Sequence, residues 1–273
     1  MATRRAHDLL VNVDMGEQKP PDWLVRVKED TFKADDTMFQ NREPDDVLEE
    51  MDALGVERAV LLAHVTGPSE RVRRFVEAHP DRFSLGIGRL DLLKSMPTVR
   101  ALQSLVEDFP VTYAIVAPSF WGDGMYPADD AVYFPLYTTA CELGLPVCLN
   151  TGLPGPPLPG EAQHPIHLDR VCIRFPELKL CMAHGADPWW DVAIKLMIKY
   201  ANLRLMTSAW SPKRLPEELL HYLRTRGKNR IIFATDSPVL SMARCLGEVD
   251  HLDLDDDARD RYLYQNAQEF FFS

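Results

Sequence analysis

The sequence has few cysteines and no long hydrophobic run. No apolar stretch approaches the ~20 residues that a membrane-spanning helix needs. Residues 1–14 contain two arginines but only a short apolar stretch, which alternates like a β-strand, so we do not interpret them as a signal peptide. The five cysteines include no C-x-x-C pair, and four of them lie among apolar residues of predicted strands or helices. These features predict reduced, buried thiols in a cytoplasmic protein rather than disulfides or a zinc site.

Positive charge is also scarce. The chain has 30 lysines and arginines against 41 aspartates and glutamates, which gives a net charge of −11. Nucleic acids and anionic membranes are therefore excluded as partners, whereas a small-molecule substrate is compatible with this charge. The sequence also lacks a nucleophile elbow, a phosphate-binding loop, a Cys-His couple and an H-E-x-x-H metalloprotease motif, which excludes those enzyme classes.

Short runs rich in Val, Ile and Leu alternate with longer segments of helical period. Buried strands that alternate with helices indicate a parallel sheet. Eight such units in 273 residues predict one (β/α)8 TIM-barrel domain over residues 1–273, because this fold takes about 250 residues. An open doubly wound sheet is disfavoured because no Gly-rich loop follows the first strand. The predicted strands are 9–13, 58–63, 83–88, 113–118, 146–150, 178–183, 203–206 and 230–235.

Two segments extend this repeating pattern. Residues 15–43 form a long insertion after strand 1, on the side where barrel enzymes build their sites, so we expect it to cover the pocket as a lid. Residues 255–271 have a helical period and predict an additional C-terminal helix.

Several motifs resemble one known family, in the order in which that family carries them. They are EEMDALGVERAVLLA (49–63), AHPDRFSLGIGRLD (78–91), CELGLPVCLNTG (141–152), RFPELKLCMAHGADPWW (174–190), RIIFATDSP (230–238) and YQNAQEFF (264–271). Together they resemble the amidohydrolase-related family that includes aminocarboxymuconate-semialdehyde decarboxylase-like proteins. The resemblance covers most of the chain and implies a TIM barrel that acts on small molecules.

The resemblance also implies where a metal site would lie. Members of the family hold a divalent metal with a His-x-His pair ending strand 1, a His ending strand 5 and an Asp ending strand 8, and a further His ends strand 6. In this sequence the corresponding residues are Asn12 and Asp14, Asn150, Asp236 and His184. Three metal-binding histidines are therefore replaced.

These replacements leave two hypotheses about the cofactor. The oxygen ligands Asn12, Asp14, Asn150 and Asp236 suit Mg²⁺, Mn²⁺ or Ca²⁺ better than zinc, so one divalent metal ion is the first hypothesis. The second hypothesis is that no metal binds. Asp14 and Asp236 would then face each other, one of the two pKa values would rise, and His184 would stabilise the remaining charge. Those three residues could perform general acid/base catalysis.

The structural alternatives for these residues are ordinary. Asp236 could cap the following helix, a lone histidine such as His184 is often structural, and Asn12, Asp14 and Asn150 could belong to turns. With the resemblance we predict that Asp236, His184 and Asp14 are catalytic, and that Asn12 and Asn150 contact the substrate.

Three further residues are candidates for substrate binding. Arg89, after strand 3, could bind a substrate carboxylate bidentately, or could pair with Asp91 instead. Trp121, after strand 4, and Trp210, after strand 7, could form walls of an apolar pocket.

The favoured function is hydrolysis of a small carboxylated or aromatic substrate by acid/base chemistry, with weak or absent metal dependence. A decarboxylase or lyase of the same family is the first alternative, ranked lower because decarboxylation needs an electron sink that a missing metal makes harder to supply. A catalytically inactive barrel that binds a ligand is the second alternative. The lost histidines favour it, whereas the retained His184 and Asp236 argue against it. The resemblance is compatible with a homodimer.

Overall fold

The computed structural model describes residues 5–16, 19–34, 36–119 and 125–273, and a sheet of eight parallel strands lies at its centre. The strands follow one another in chain order, each hydrogen-bonded to the next: β1 (Ala6–Val11), β2 (Val56–His64), β3 (Phe83–Gly88), β4 (Val111–Val116), β5 (Val147–Asn150), β6 (Leu180–Ala183), β7 (Leu203–Met206) and β8 (Ile231–Ile232).

The sheet curls until its last strand reaches its first. The backbone N–H of Asp236 donates to the carbonyl of Leu10 at 3.0 Å, and that of Asn12 donates to the carbonyl of Ser237 at 2.7 Å. These bonds join the chain after β8 to β1. The predicted α/β TIM barrel is therefore confirmed.

A helix follows every strand. α2 (Pro44–Leu54) begins with proline and ends before Gly55, whose φ of 73° suits a residue without a side chain. The other helices are α1 (Asp22–Arg26), α3 (Glu70–Ala78), α4 (Ser95–Asp108), α5 (Phe134–Leu143), α6 (His167–Arg174), α7 (Trp190–Lys199), α8 (Glu217–Arg224), α9 (Met242–Val249), α10 (Asp256–Asp260) and α11 (Asn266–Phe271). Within the described ranges, no helix is long and apolar enough to cross a membrane.

Two hydrophobic clusters stabilise the barrel. The larger one lies between the strands and the surrounding helices. The second cluster fills the interior of the barrel, and Phe270 and Phe271 of α11 belong to it. The Phe271 ring lies 5.6 Å from the ring of Tyr113, near the start of β4, so α11 closes the end of the barrel where the strands begin. All five cysteines are free, and two of them, Cys148 and Cys181, belong to this interior cluster.

The structure corrects the bounds of the first and last strands. β8 was predicted over 230–235 but covers Ile231–Ile232, because the chain beyond it bonds outside the sheet. The N–H of Phe233 donates to the carbonyl of Tyr262, and the N–H of Thr235 donates to the Asp8 carboxylate. β1 begins three residues earlier than predicted, because Ala6 already pairs with Val56 of β2.

Candidate functional site

A cavity of about 410 Å³ opens where the strands end. Its volume lies within the range of small-molecule sites, and its position is the one that barrel enzymes use. Apolar side chains from the strands and from the insertion after β1 form its walls. The strand residues include Leu10, Leu62 and Ile115, and the residues between β1 and α2 are Met15, Trp23, Leu24, Val27, Phe32 and Met38.

Polar side chains from several strand ends share this cavity. The structure brings six of the eight predicted site residues to its wall: Asn12, Asp14, Arg89, Asn150, His184 and Asp236. Because the strands are parallel and close into a barrel, residues far apart in sequence meet at one end of it.

Asp236 is the buried acid of the cavity. Its Oδ1 atom accepts a hydrogen bond of 2.9 Å from the side-chain amide of Asn12. The pKa of Asp236 is raised to about 8, mainly by burial; the bond from Asn12 lowers this pKa and the nearby Asp8 raises it. The carboxyl group therefore holds its proton at neutral pH.

The carboxyl group that neighbours Asp236 is Asp8, which the sequence analysis missed. Asp8 is fully buried and accepts hydrogen bonds from the backbone N–H and the hydroxyl of Thr235. Burial raises its pKa to about 6, against the effect of those bonds. The signal in the sequence that could have indicated Asp8 is an acidic residue within a mostly apolar strand, because a buried charge is costly unless it is used or bonded.

Asp14 occupies the rim of the cavity rather than its base. It is exposed, and its carboxylate accepts a hydrogen bond of 3.2 Å from the N–H of Gly16 in a short turn. The interaction that raises the pKa of Asp236 thus comes from Asp8, and the expected pairing of Asp14 with Asp236 is corrected. β1 ends at Val11, so Asp14 lies beyond the strand that would have directed it inward.

His184 follows β6 and contributes a neutral imidazole. Its Nδ1 atom lies 3.0 Å from the hydroxyl oxygen of Ser208, and its carbonyl accepts a hydrogen bond of 2.8 Å from the indole of Trp210. Burial lowers the pKa of His184 to about 4, although a hydrogen bond between its ring and the backbone of Ser208 opposes this shift. At neutral pH His184 can form hydrogen bonds with a ligand. Its imidazole is uncharged, so it does not supply the positive charge that we expected to stabilise a neighbouring carboxylate.

Asn150 ends β5, opposite Ala183 of β6. The residue is 7% exposed, and its amide oxygen is buried without a hydrogen-bond partner in the described part of the chain. An unsatisfied buried acceptor costs roughly 1–3 kcal/mol, so a ligand that supplies a donor would recover this free energy.

Arg89 provides positive charge at the cavity. It follows β3, its side chain is exposed, and it lowers the pKa of the neighbouring His64, second to the effect of burial. Asp91, the alternative partner suggested by the sequence, lies 3.2 Å from Lys94.

The backbone is strained at four of the residues that line the cavity. Arg89, His184, Ala209 and Asp236 have φ values between 53° and 65°, a region that residues with a side chain rarely adopt. Each of them lies just after a strand. Such strain clusters at functional sites, where the surrounding structure holds side chains in directions that relaxed backbone would not give.

The two tryptophans predicted as pocket walls have different outcomes. Trp121 lies outside the described residues. Trp210 contacts His184 rather than the cavity. Its indole N–H donates a hydrogen bond to the His184 carbonyl, and its ring packs edge-on against Trp190, with 5.0 Å between the ring centroids. The aromatic walls come instead from Trp23 and Phe32 of the insertion.

A comparison with family sequence models gives one match, a model described as amidohydrolase, over residues 15–272. The chain belongs to the amidohydrolase family. The resemblance stated from the motifs is therefore confirmed, and with it the prediction of an enzyme related to the amidohydrolases. No curated protein matches this amidohydrolase.

Solved structures share the fold of this amidohydrolase at low sequence identity. An uncharacterised TIM-barrel protein from Bordetella bronchiseptica is 23% identical, with a TM-score of 0.79 and 98% of each chain covered. The 2,6-dihydroxybenzoate decarboxylase from Rhizobium is 19% identical, with a TM-score of 0.69 and coverage of 98% of this chain and 99% of that one. A dihydroxybenzoic acid decarboxylase from Polaromonas, solved with manganese and 2-nitroresorcinol, is 18% identical, with a TM-score of 0.68 and coverage of 98% and 97%.

The Polaromonas structure holds manganese, and the cavity of this chain offers fewer charged or imidazole ligands than such an ion usually takes. Asn12 points its amide nitrogen, rather than an oxygen, at Asp236, so a hydrogen-bond donor faces that carboxyl group. No group of three or more His, Cys, Asp or Glu side chains placed to hold a metal ion occurs in the described part of the chain. Divalent metals need several deprotonated or carbonyl oxygen ligands, or imidazoles, directed at one point.

Proposed function

We propose that this member of the amidohydrolase family is a carbon–carbon lyase, which removes the carboxylate of a small aromatic acid as CO₂. The observation that carries the proposal is the buried Asp236 carboxyl group, which lies in a largely apolar cavity and is hydrogen-bonded to a neutral amide. The decarboxylases of the same fold from Rhizobium and Polaromonas support the choice of reaction.

Asp236 would act as the proton donor. A proton passes from its carboxyl group to the ring carbon that bears the substrate carboxylate. The bond between that carbon and the carboxylate then breaks, CO₂ leaves, and the electron pair of the broken bond restores the aromatic ring. The product is the arene, and Asp236 regains a proton from solvent before the next turnover. The interaction with Asn12 holds the carboxyl group in place during the transfer.

The cavity suits a single substituted ring. Its apolar walls, including Trp23 and Phe32, exclude water and so favour the loss of charge when a carboxylate becomes CO₂. Arg89 supplies the positive charge that attracts a carboxylated substrate. The described residues 19–34, which contribute both of these aromatic walls, act in this proposal as the cover that separates the ring from solvent.

Hydrolysis becomes the second candidate. Activation of a water molecule requires a base, and the pKa values of about 8 for Asp236 and about 4 for His184 describe a protonated acid and a weakly basic imidazole at neutral pH. This arrangement donates a proton more readily than it removes one from water.

The decisive test is a set of hydroxylated benzoates that includes 2,6-dihydroxybenzoate and 5-carboxyvanillate. We expect at least one of them to release CO₂ and yield the decarboxylated arene in equal amount, measured by CO₂ evolution and mass spectrometry. A panel of aryl esters and lactones is assayed in parallel. Hydrolysis of that panel, with no CO₂ from the acids, would overturn the proposal.

The pH profile separates a proton donor from a base. Because Asp236 acts in its protonated form and its pKa is about 8, kcat/KM should be constant between about pH 6 and 7 and should fall about tenfold per pH unit well above 8. The measurement is kcat/KM from pH 5 to 10 at constant ionic strength. A rise in kcat/KM from pH 7 to 9 would show that the ionised carboxylate is the active form and contradict the assignment.

Metal removal gives an independent prediction. The donor set around Asp236 does not fit a divalent metal, so turnover should remain within about twofold after dialysis against a chelator, and added Mn²⁺ should not increase it. Elemental analysis of the same sample provides the control. Loss of activity on chelation, with recovery on addition of Mn²⁺, would show that the cavity binds a metal in solution.

A further inference from the structure

His64 ends β2 and lies in the wall of the cavity beside Arg89. In the register of the sheet His64 pairs with Gly88 of β3, and Arg89 is the next residue along the chain. Burial lowers the pKa of His64, and the positive charge of Arg89 lowers it further, so the two side chains are close neighbours. Positive charge is therefore concentrated at this corner of the cavity, in a chain whose net charge is −11.

A turn after β2 fixes which ring nitrogen of His64 carries the proton. The backbone N–H of Thr66 donates to Nδ1 at 3.0 Å, and the hydroxyl oxygen of Thr66 lies 2.8 Å from the same nitrogen. The N–H of Gly67 donates to the carbonyl of His64 at 2.9 Å and closes the turn. Because a backbone N–H can only donate, Nδ1 carries a lone pair, and the neutral ring is protonated at Nε2.

The Nε2–H group of His64 is accessible to a ligand. Nδ1 faces the turn, so Nε2 points away from it, and the residue is exposed where it lines the cavity. Within the described ranges, the hydrogen bonds of the His64 ring all go to Thr66 through Nδ1. The corner between β2 and β3 thus presents the cavity with two groups, an imidazole N–H and a guanidinium, that can donate hydrogen bonds but cannot accept them.

We propose that the Nε2–H group of His64 and the guanidinium group of Arg89 together bind the carboxylate of the substrate, and that His64 makes the cavity select a carboxylate over the carboxamide of the same ring. This inference rests on the proposed function, because it takes the cavity to be the site of an aromatic acid. A carboxylate offers an acceptor oxygen to each donor. A carboxamide offers one oxygen, and its NH₂ group meets the second donor with no acceptor, so the amide is selected against.

A neutral donor at this position also suits the loss of CO₂. Two cations would bind the ionised acid tightly and would lose most of that interaction as the charge leaves the carboxylate, which stabilises the ground state more than the transition state. His64 remains neutral because Thr66 occupies Nδ1 and because Arg89 opposes a second positive charge. Its hydrogen bond orients the carboxylate, and less of the interaction is lost when the charge disperses.

The first test measures binding with benzoate and benzamide as probes. By calorimetry at neutral pH, we expect the wild type to bind benzoate at least about tenfold more tightly than benzamide. His64→Phe keeps an aromatic ring without a donor and should bind benzoate about tenfold more weakly than the wild type. His251→Phe replaces an exposed histidine beyond the end of α9 and is the matched control, which should leave both affinities unchanged.

His64→Gln separates recognition from a structural role. Glutamine places an N–H group near the position of Nε2, but its amide can turn and present its oxygen instead. The variant should therefore bind benzoate within about threefold of the wild type and bind benzamide more tightly than the wild type does. A histidine that only supported the fold would give no reason for benzamide affinity to increase.

The second test needs neither a ligand nor a folded variant of altered affinity. Nitrogen-15 NMR of the protein labelled at histidine reads the protonation of each ring nitrogen, and the signals that disappear in His64→Phe or His64→Gln belong to His64. At neutral pH we expect an unprotonated Nδ1 and a protonated Nε2. If every histidine of the wild type is protonated at Nδ1, the inference is overturned even if no variant folds.

The remaining outcomes decide between this inference and the proposed function. If the wild type binds benzoate and benzamide equally, or binds neither, the inference is overturned. If His64→Phe keeps the full preference for benzoate, another donor recognises the carboxylate and the assignment to His64 fails. Selective binding of benzoate with no CO₂ from any acid of the panel contradicts the lyase proposal and leaves this inference standing. Release of CO₂ by a wild type that binds both probes equally does the reverse.

Discussion

Asp236→Asn should lower kcat for decarboxylation by about 10²- to 10⁴-fold, the range that general acid catalysis supplies. Asparagine keeps the shape of the side chain but cannot give a proton to a ring carbon. The measurement is steady-state kinetics on the acid identified by the substrate panel, with binding of that acid measured separately. KM or affinity should change little, because the loss lies in the chemical step.

The stability of the same variant provides its control. The pKa of Asp236 rises from 3.8 to about 8 on folding, so the folded state holds the proton more tightly than the unfolded state does. The stability that this group contributes is therefore complete below pH 3.8 and is lost as the pH rises towards 8. The amide that replaces the carboxyl group does not titrate. The melting temperature of Asp236→Asn, measured relative to that of the wild type, should therefore increase between pH 5 and 9. Full activity in a folded Asp236→Asn protein would refute the assignment.

Gly86→Ala should destabilise the protein by about 3 kcal/mol, near the upper end of the range for overpacked cores. A β-carbon on Gly86 would lie 2.3 Å from Cε2 of Tyr113. The Tyr113 ring is fully buried, and its hydroxyl group donates to the carbonyl of Leu9 across the barrel, so the ring cannot move aside. Urea denaturation of the wild type and the variant measures the free energy of unfolding.

Gly247→Ala is the matched control for this substitution. Gly247 lies in α9, and a β-carbon there meets nothing within 4 Å. Alanine is favoured over glycine in a helix by about 0.5–1 kcal/mol, so this variant should be slightly more stable than the wild type. Equal stabilities for Gly86→Ala and the wild type would show that the barrel interior is less tightly packed than the structure indicates.

The barrel could be predicted from the sequence because its signal repeats. Eight apolar runs separated by helical segments leave few other architectures, and the strand at 83–88 was placed correctly at both ends. The ends of β1 and β8 were less predictable, because the chain there bonds to side chains and to distant backbone. The carboxylate of Asp8, which accepts the N–H of Thr235, has no counterpart in any local pattern.

The sequence predicted which residues would line the cavity, but it did not predict how those residues interact there. Motif positions identified Asn12, Asn150, His184 and Asp236, which all reach the cavity. Sequence alone could not show that Asp8 lies next to Asp236, because that proximity depends on how β1 closes against the end of β8.

The order of the candidate reactions also changed. Hydrolysis ranked first in the sequence analysis because decarboxylation needs an electron sink that a missing metal makes harder to supply. The structure gives instead one deeply buried acid and a neutral imidazole, His184, and that difference is set by burial rather than by residue type.

The bond from Asn12 to Asp236 joins residues 224 positions apart, and it lies at the seam where the barrel closes. During synthesis, residue 12 must wait for residue 236 to leave the ribosome before this pair can exist. A nascent chain that carries β1 to β7 would hold Asn150 and His184 but no proton donor. Enzymatic activity would therefore appear only after the barrel has closed, so the onset of turnover would measure when this last step of folding is complete.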